Sequence, residues 1–185
     1  MPTLLLALGA NMPGTWGAPD ETLARTQREL GAAGLRILRV SRLYATMPVG
    51  PGRQQRYLNA VLVATASMAP AALLRRIKQI ERCAGRRLGQ HWGPRCLDLD
   101  LLDFGGRRLG WPPRRREKGR LILPHPEMHR RAFVLVPLLE VDRHWWHPAI
   151  GLPGRVLLQR LAPASRAGIR QILDFAQPAC DKEGG

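Results

Sequence analysis

The run Leu97-Asp98-Leu99-Asp100-Leu101 is a two-residue alternation, and that constrains the chain more than any other feature. Side chains of a β-strand point alternately to opposite faces, so Leu97, Leu99 and Leu101 share one face and Asp98 and Asp100 the other. One face of this strand therefore faces a core. The other carries two carboxylates that repel each other unless a cation sits between them or they lie on a solvated surface. Magnesium takes hard oxygen ligands, one or two carboxylates with waters and phosphate oxygens completing the shell. An isolated Asp-x-Asp is common by chance and favours the solvated face. The residues just before the strand change that balance. Trp92-Gly93-Pro94-Arg95 is a rigid turn that brings an aromatic plane and a guanidinium beside the carboxylates. Metal, phosphate-binding arginine and stacking surface together describe a nucleotide site.

The elements around this strand follow from periodicity. Residues 4–8 read as a buried first strand, ended by the turn-forming run Gly9-Ala10-Asn11-Met12-Pro13-Gly14. Residues 20–30 read as a helix with Asp20 as N-cap candidate, and 37–44 as one half-buried alternating strand. Pro48, Gly50, Pro51 and Gly52 mark a loop before an apolar strand at 57–66. Pro70 opens a helix whose 3.6-residue pattern, Leu73, Leu74, Ile77, Ile80 and Glu81, runs until Gly85 stops it. A strand over 97–104 follows. Residues 107–109 and 121–123 pair across an Arg-rich loop, and 129–141 form a helix that Pro137 kinks or divides. The predicted order is strand, helix, strand, strand, helix, strand. That is the ferredoxin-like split βαβ arrangement, an α+β fold with an antiparallel sheet and helices on one face. Residues 1–161 read as a single domain; 162–185 show little pattern and read as a partly disordered C-terminal tail.

Composition bounds the function classes. The chain has 185 residues and a formal charge of +15, with lysine only at positions 78, 118 and 182, so the surplus is arginine. Guanidinium forks match phosphate and carboxylate oxygens; a bias toward Ala, Gly, Pro and Arg explains the surplus equally well. Cys83, Cys96 and Cys180 lack metal-ligand spacing and leave an odd thiol, which fits a reduced, cytoplasmic protein. The apolar N-terminus has no positive flank and is short for a signal peptide, and no stretch is long enough to span a bilayer. His125 and His129 are four apart, a spacing that can bind zinc, yet no third ligand accompanies them. Asn59, set among Leu58, Ala60, Val61, Leu62 and Val63, is costly to bury alone, and a ligand is a natural partner for its amide.

The string from His91 to Leu102 resembles the signature of the 6-hydroxymethyl-7,8-dihydropterin pyrophosphokinase family of folate biosynthesis. Four further blocks are similar to it in order. They are Leu8-Gly9-Ala10-Asn11, the stretch Ser41 to Gly50 with Gln55 to Ala60, the helix end at Ile80-Glu81 with Gly85-Arg86, and Pro124-His125-Pro126 with Met128, Arg131, Phe133, Leu135 and Pro137-Leu138. The resemblance implies an ATP-dependent diphosphokinase that passes the β,γ-diphosphate of ATP to the pterin hydroxymethyl group and releases AMP. It implies two magnesium ions held by Asp98 and Asp100, with Asp98 the favoured proton acceptor. Arg86 and Arg95 would act with the aspartates in catalysis. Glu81, Arg86, Trp92, Arg95, His125 and Arg131 would bind ATP, with Glu81 either touching the nucleotide or orienting an arginine. Tyr57 and Phe133 would sandwich the pterin, Asn59 would bond its edge, and Thr46 and Val49 would offer backbone groups.

A monomer acting on small molecules, with no membrane partner, is expected. Three stretches depart from the family pattern: the loop 87–91 is shorter and less basic, 111–118 is an Arg-rich insertion, and the chain beyond Leu161 has no counterpart. The competing class is an RNA-binding module of the RRM type, which shares the ferredoxin-like layout and suits a basic chain. Such modules carry several stacking aromatics on the central strand. The segment from Tyr57 to Val61 carries Tyr57 alone. A catalytically inactive relative is the third option, and the intact aspartates weigh against it.

Overall fold

Two contiguous layers of apolar side chains, one on each face of a single sheet, organise the molecule. A computed structural model describes residues 1–47, 55–86, 95–112 and 120–173. The chain runs β1 (Thr3–Ala10), α1 (Pro19–Ala32), β2 (Arg36–Val40), β3 (Leu43–Thr46), β4 (Tyr57–Thr65), α2 (Pro70–Cys83) and β5 (Asp98–Phe104). It continues through a short 3-10 turn (Met128–Arg130), α3 (Ala132–Val141), the two-residue strands β6 (Trp146–His147) and β7 (Leu152–Pro153), α4 (Gly154–Gln159), α5 (Pro163–Ala167) and β8 (Arg170–Leu173). β1 is central. It pairs antiparallel with β4 on one side and β5 on the other, and the strand order is β5-β1-β4-β3-β8 with β2 also on β4. The fold is mixed α/β with an antiparallel sheet.

Helices cover both faces, not the one expected. Leu4, Leu6, Leu8, Leu62, Leu99 and Leu101 pack with Leu23 and Leu30 of α1 and Leu73, Ile77 and Ile80 of α2. Leu5, Val61, Val63 and Leu102 pack on the opposite face with Val134, Leu135 and Leu138 of α3 and Leu157 of α4. The reason lies in β1 and β4, which are apolar at successive residues and so need a partner on each side. Each fully buried leucine contributes about 1.5–3 kcal/mol.

Local chemistry moves three boundaries. α1 begins with Pro19, a residue that suits a helix start because its missing N–H has no partner there anyway. Its cap is Ala18, whose N–H donates to Glu21 Oε2 at 2.8 Å, so Asp20 sits inside the first turn and is not the N-cap. The strand expected over 37–44 is two strands, β2 and β3. Ser41 Oγ accepts the Val61 N–H at 3.0 Å, and the Arg42 N–H turns to the Glu140 carboxylate at 3.2–3.3 Å, which breaks the ladder between them. The helix expected over 129–141 is interrupted at Arg131, which is extended (φ −114°, ψ 103°), while Pro137 lies within α3. The pairing of 107–109 with 121–123 reduces to one bridge, Leu109 to Leu123.

Beyond Leu161, where the sequence shows little pattern, α5 and β8 form, and β8 pairs with β3. Residues 174–185 lie outside the described residues. Among the described residues, no helix is long and apolar enough to cross a membrane.

Candidate active site

The register of β1 brings the two chemically loaded strands together. Gly9 faces Asn59 on β4 and Asp98 on β5, and Ala7, two residues earlier, faces Val61 and Asp100. Because side chains alternate, these two rows lie on the same face, the one covered by α3. Glycine and alanine in the middle strand leave a floor between an amide on one side and two carboxylates on the other. A Cβ on Gly9 would stand 3.3 Å from Asn59 Oδ1 and 3.9 Å from the Asp98 Cβ, so the close approach of the two strands' side chains depends on its absence. Above this floor is a cavity of about 430 Å³, a volume suited to a small organic ligand.

The aspartates border this floor. Asp98 Oδ1 accepts from Arg86 Nη1 at 2.6 Å, and Oδ2 accepts from Arg95 Nη1 at 2.6 Å. Burial works against the Asp98 charge, but the guanidiniums of Arg95 and Arg86 outweigh it and hold the carboxyl below its usual range. Two guanidiniums thus hold Asp98 as the carboxylate. Asp100 is less tightly held: its Oδ2 is 3.7 Å from both His125 Nε2 and Arg131 Nη1. Burial lowers the His125 pKa despite the adjacent Asp100, so this imidazole is mostly neutral near pH 7.

Glu81 stands behind the site. It is 1% exposed, accepts the Leu99 N–H at 2.8 Å, and pairs with Lys78 and with Arg86. Burial raises its pKa against the pull of Lys78. Of the two roles expected for it, orienting an arginine fits this position.

Magnesium fits the donor set. Asp98 and Asp100 offer hard oxygens from one face of one strand, and no group of three or more His, Cys, Asp or Glu capable of holding a metal occurs among the described residues. Two carboxylates with phosphate oxygens and waters are the usual magnesium environment, whereas a closed zinc site needs more protein ligands. His129 belongs elsewhere: its ring meets those of Trp111 and His147 at 6.2 and 5.7 Å.

Tyr57 from the start of β4 and Phe133 from α3 line the same cavity with Thr46 and Asn59, and Tyr57 lies near enough to Arg95, Asp98 and Arg86 to feel their charges. The Arg131 guanidinium lies over the Phe133 ring at 5.8 Å. Burial raises the pKa of the Tyr57 hydroxyl. The Asn59 amide N–H donates to Thr46 Oγ1 at 2.8 Å. The buried amide thus has one partner within the protein, and Asn59 still lines the cavity.

Of the residues singled out in the sequence, Thr46, Tyr57, Asn59, Arg95, Asp98, Asp100, Arg131 and Phe133 line this one cavity. Arg86 and His125 attach to its aspartates. Val49 and Trp92 lie outside the described residues, as do 87–91 and 113–118. The sequence reading missed Met47, Glu127, Arg130 and Ser165, and gave no role to Gly9. Arg130 and Met47 adjoin residues it did select. Ser165 carried no signal, because its position depends on a strand pairing far along the chain.

Comparison with known proteins converges on one family. Residues 5–143 match the family model described as 7,8-dihydro-6-hydroxymethylpterin-pyrophosphokinase (HPPK). The chain is 36% identical over 176 residues to the 2-amino-4-hydroxy-6-hydroxymethyldihydropteridine pyrophosphokinase of Mycobacterium bovis, covering 92% of this chain and 89% of the relative. The protein of the same name from Pseudomonas aeruginosa is 40% identical over 138 residues, covering 74% and 78%. The Synechocystis one is 40% identical over 119 residues, but the match spans 64% of this chain and only 57% of the relative's length. Among solved structures, wild-type Plasmodium falciparum HPPK-DHPS superposes with a TM-score of 0.61 at 16% identity. That match covers 86% of this chain and 43% of the Plasmodium chain, and it speaks to the fold alone. Neither the family model nor these relatives supports the RNA-binding alternative.

Proposed function

The chain belongs to the 7,8-dihydro-6-hydroxymethylpterin-pyrophosphokinase family, and on that premise we propose that its cavity joins ATP to 6-hydroxymethyl-7,8-dihydropterin. In this reaction the hydroxymethyl oxygen bonds to the β-phosphorus of ATP. The bond from that phosphorus to the oxygen bridging the α-phosphate breaks, AMP leaves with the electron pair, and the hydroxyl proton passes to solvent. The product is the pterin diphosphate of folate biosynthesis.

The observation that carries this reading is the row Asn59, Gly9, Asp98 across three strands, which supports a flat polar ring at one end and a polyphosphate at the other. Tyr57 and Phe133 would hold the ring, with Thr46 and Asn59 at its edge; flat rings favour such contacts. Arg86, Arg95 and Arg131 would orient the phosphates, since their forks match paired oxygens and now rest on carboxylates. His125, neutral, would donate or accept a hydrogen bond beside them. Asp98 and Asp100 would hold magnesium, two ions in our reading. Bound there, magnesium neutralises the charge on the phosphate oxygens. The residues' own contribution is positioning and charge, the principal means by which phosphoryl transfer is accelerated.

The strand order β5-β1-β4 flanked by β2 and β3 supports the ferredoxin-like description of the core. A cytoplasmic monomer completes the proposal. It is tested by measuring AMP released from ATP. Release that requires both the pterin and magnesium is expected. AMP formation indifferent to the pterin would sink the assignment.

A further inference from the structure

The family model's match ends at residue 143. The match to the Mycobacterium bovis relative covers 92% of the chain and so reaches past Leu161, where the sequence reading found no counterpart. The cavity also runs past 143. Ser165, on α5, lines it together with Met47, Tyr57 and Phe133. Three observations hold α5 in that place. α5 packs on α3, the helix that carries Phe133. The chain then turns through Gly168, where an added Cβ would meet Met47 Cγ at 4.0 Å, at the end of β3. It next enters β8, which pairs antiparallel with β3 through Leu43↔Leu173, Tyr44↔Gln171 and Ala45↔Arg170. β3 also ends in Thr46, the partner of Asn59. The strand that presents the amide-binding edge of the cavity is therefore the same strand that anchors the C-terminal segment.

We propose that α5, held in place by the pairing of β8 with β3, forms a specificity wall beside Tyr57 and Phe133, with Ser165 the residue that limits what fits there. The assignment rests on the reading of those two rings as the pterin's contacts. The wall stands beside Met47, Tyr57 and Phe133, and Arg95, Asp98 and Asp100 line the same cavity. It acts on the flat bicyclic substrate and not on the nucleotide, and it excludes ring systems carrying bulky groups on the edge that faces α5. A pocket wall pre-formed by a paired strand also lowers the ordering cost of binding.

Removing the segment, in a chain ending at Leu161, is expected to weaken pterin binding. It also uncovers the edge of β3, so Ser165→Trp in the full chain is the deciding variant. Pterin binding is read by quenching of intrinsic fluorescence, and KM values are read in the AMP assay. For Ser165→Trp the expected result is a rise of about tenfold or more in pterin Kd and KM. KM for ATP stays within about twofold and the melting temperature is unchanged. A pterin Kd within about twofold of the unsubstituted chain, or equal weakening of both substrates, overturns the wall. If the unsubstituted chain binds the pterin but releases no AMP, the transfer reading fails, and the binding comparison still decides the wall.

Discussion

Single residues carry the chemistry through what they are already bonded to. Asp98 has each carboxylate oxygen on a separate arginine, so its substitution removes an anion and also leaves Arg86 and Arg95 without their resting partner. Asp98→Ala is expected to lower the rate of AMP formation by about 10²-fold or more. Steady-state assay at saturating magnesium checks this, and near-normal turnover would refute the role. Gly9 makes a sharper case, because its contribution is space. Gly9→Val suits a strand's preferences, so the fold is expected to hold, while the new methyls press on Asn59 and Asp98. A rise in pterin KM of about tenfold with little change in melting temperature is the expected split. At this scale the aspartates were legible, since alternation alone puts both on one face. The tie from Asn59 to Thr46 was not, because it joins residues on strands whose pairing no local pattern specifies.

Elements are placed by long-range polar ties as much as by apolar faces. The Glu140 carboxylate, on α3, accepts from the Arg42 N–H, from Arg42 Nε at 2.7 Å and from the Tyr44 hydroxyl at 2.7 Å. This one side chain pins α3 to the gap between β2 and β3. Burial, then the Glu140 hydrogen bond and charge, push the Tyr44 pKa up to about 12. Glu140→Ala is expected to destabilise the protein by about 1–3 kcal/mol and to bring the Tyr44 titration back toward the ordinary tyrosine range. Denaturant melts and absorbance-monitored alkaline titration read the two effects, and an unmoved titration would contradict the tie. The same contact explains why 37–44 read as one strand. The alternation there is real, but a carboxylate 98 residues away captures the Arg42 N–H and ends the ladder. The core helices, with their strong 3.6-residue stripes, were legible; β8 was not, since an edge strand's partner lies in β3 and not in its own pattern.

Over the whole molecule, part of the acid sensitivity is set away from the cavity, at His147. His147 is fully buried, its Nδ1 accepts the N–H groups of Ala149 and Ile150 at 3.2 and 3.1 Å, and its Nε2 is without a hydrogen-bond partner. Burial, with His129 and Arg108 adding to it, pushes its pKa down to about 4. Unfolded, the ring titrates near 6.5. The unfolded chain therefore binds the extra proton first as pH falls, so this contribution to stability is complete above about 6.5 and is lost progressively toward about 4. Its upper size is about 3 kcal/mol. Melting temperatures at pH 7.5 and 5 are expected to differ less in His147→Phe than in the unsubstituted chain. An identical difference in both would assign the acid sensitivity elsewhere. The antiparallel architecture was legible in the order of periodicities; the second helical layer was missed because a continuous apolar strand does not announce how many sides are covered.

β1 acts as a ruler between the two halves of the cavity. Its pairing sets Gly9 against Asn59 on one side and Asp98 on the other. A single residue inserted or deleted between Thr3 and Gly9 would turn every later side chain of the strand to the other face, taking the floor out from under both halves at once. The strand should accept many conservative exchanges and no change of length. A library of such variants selected for activity would therefore be rich in substitutions within β1 and empty of single-residue insertions and deletions there.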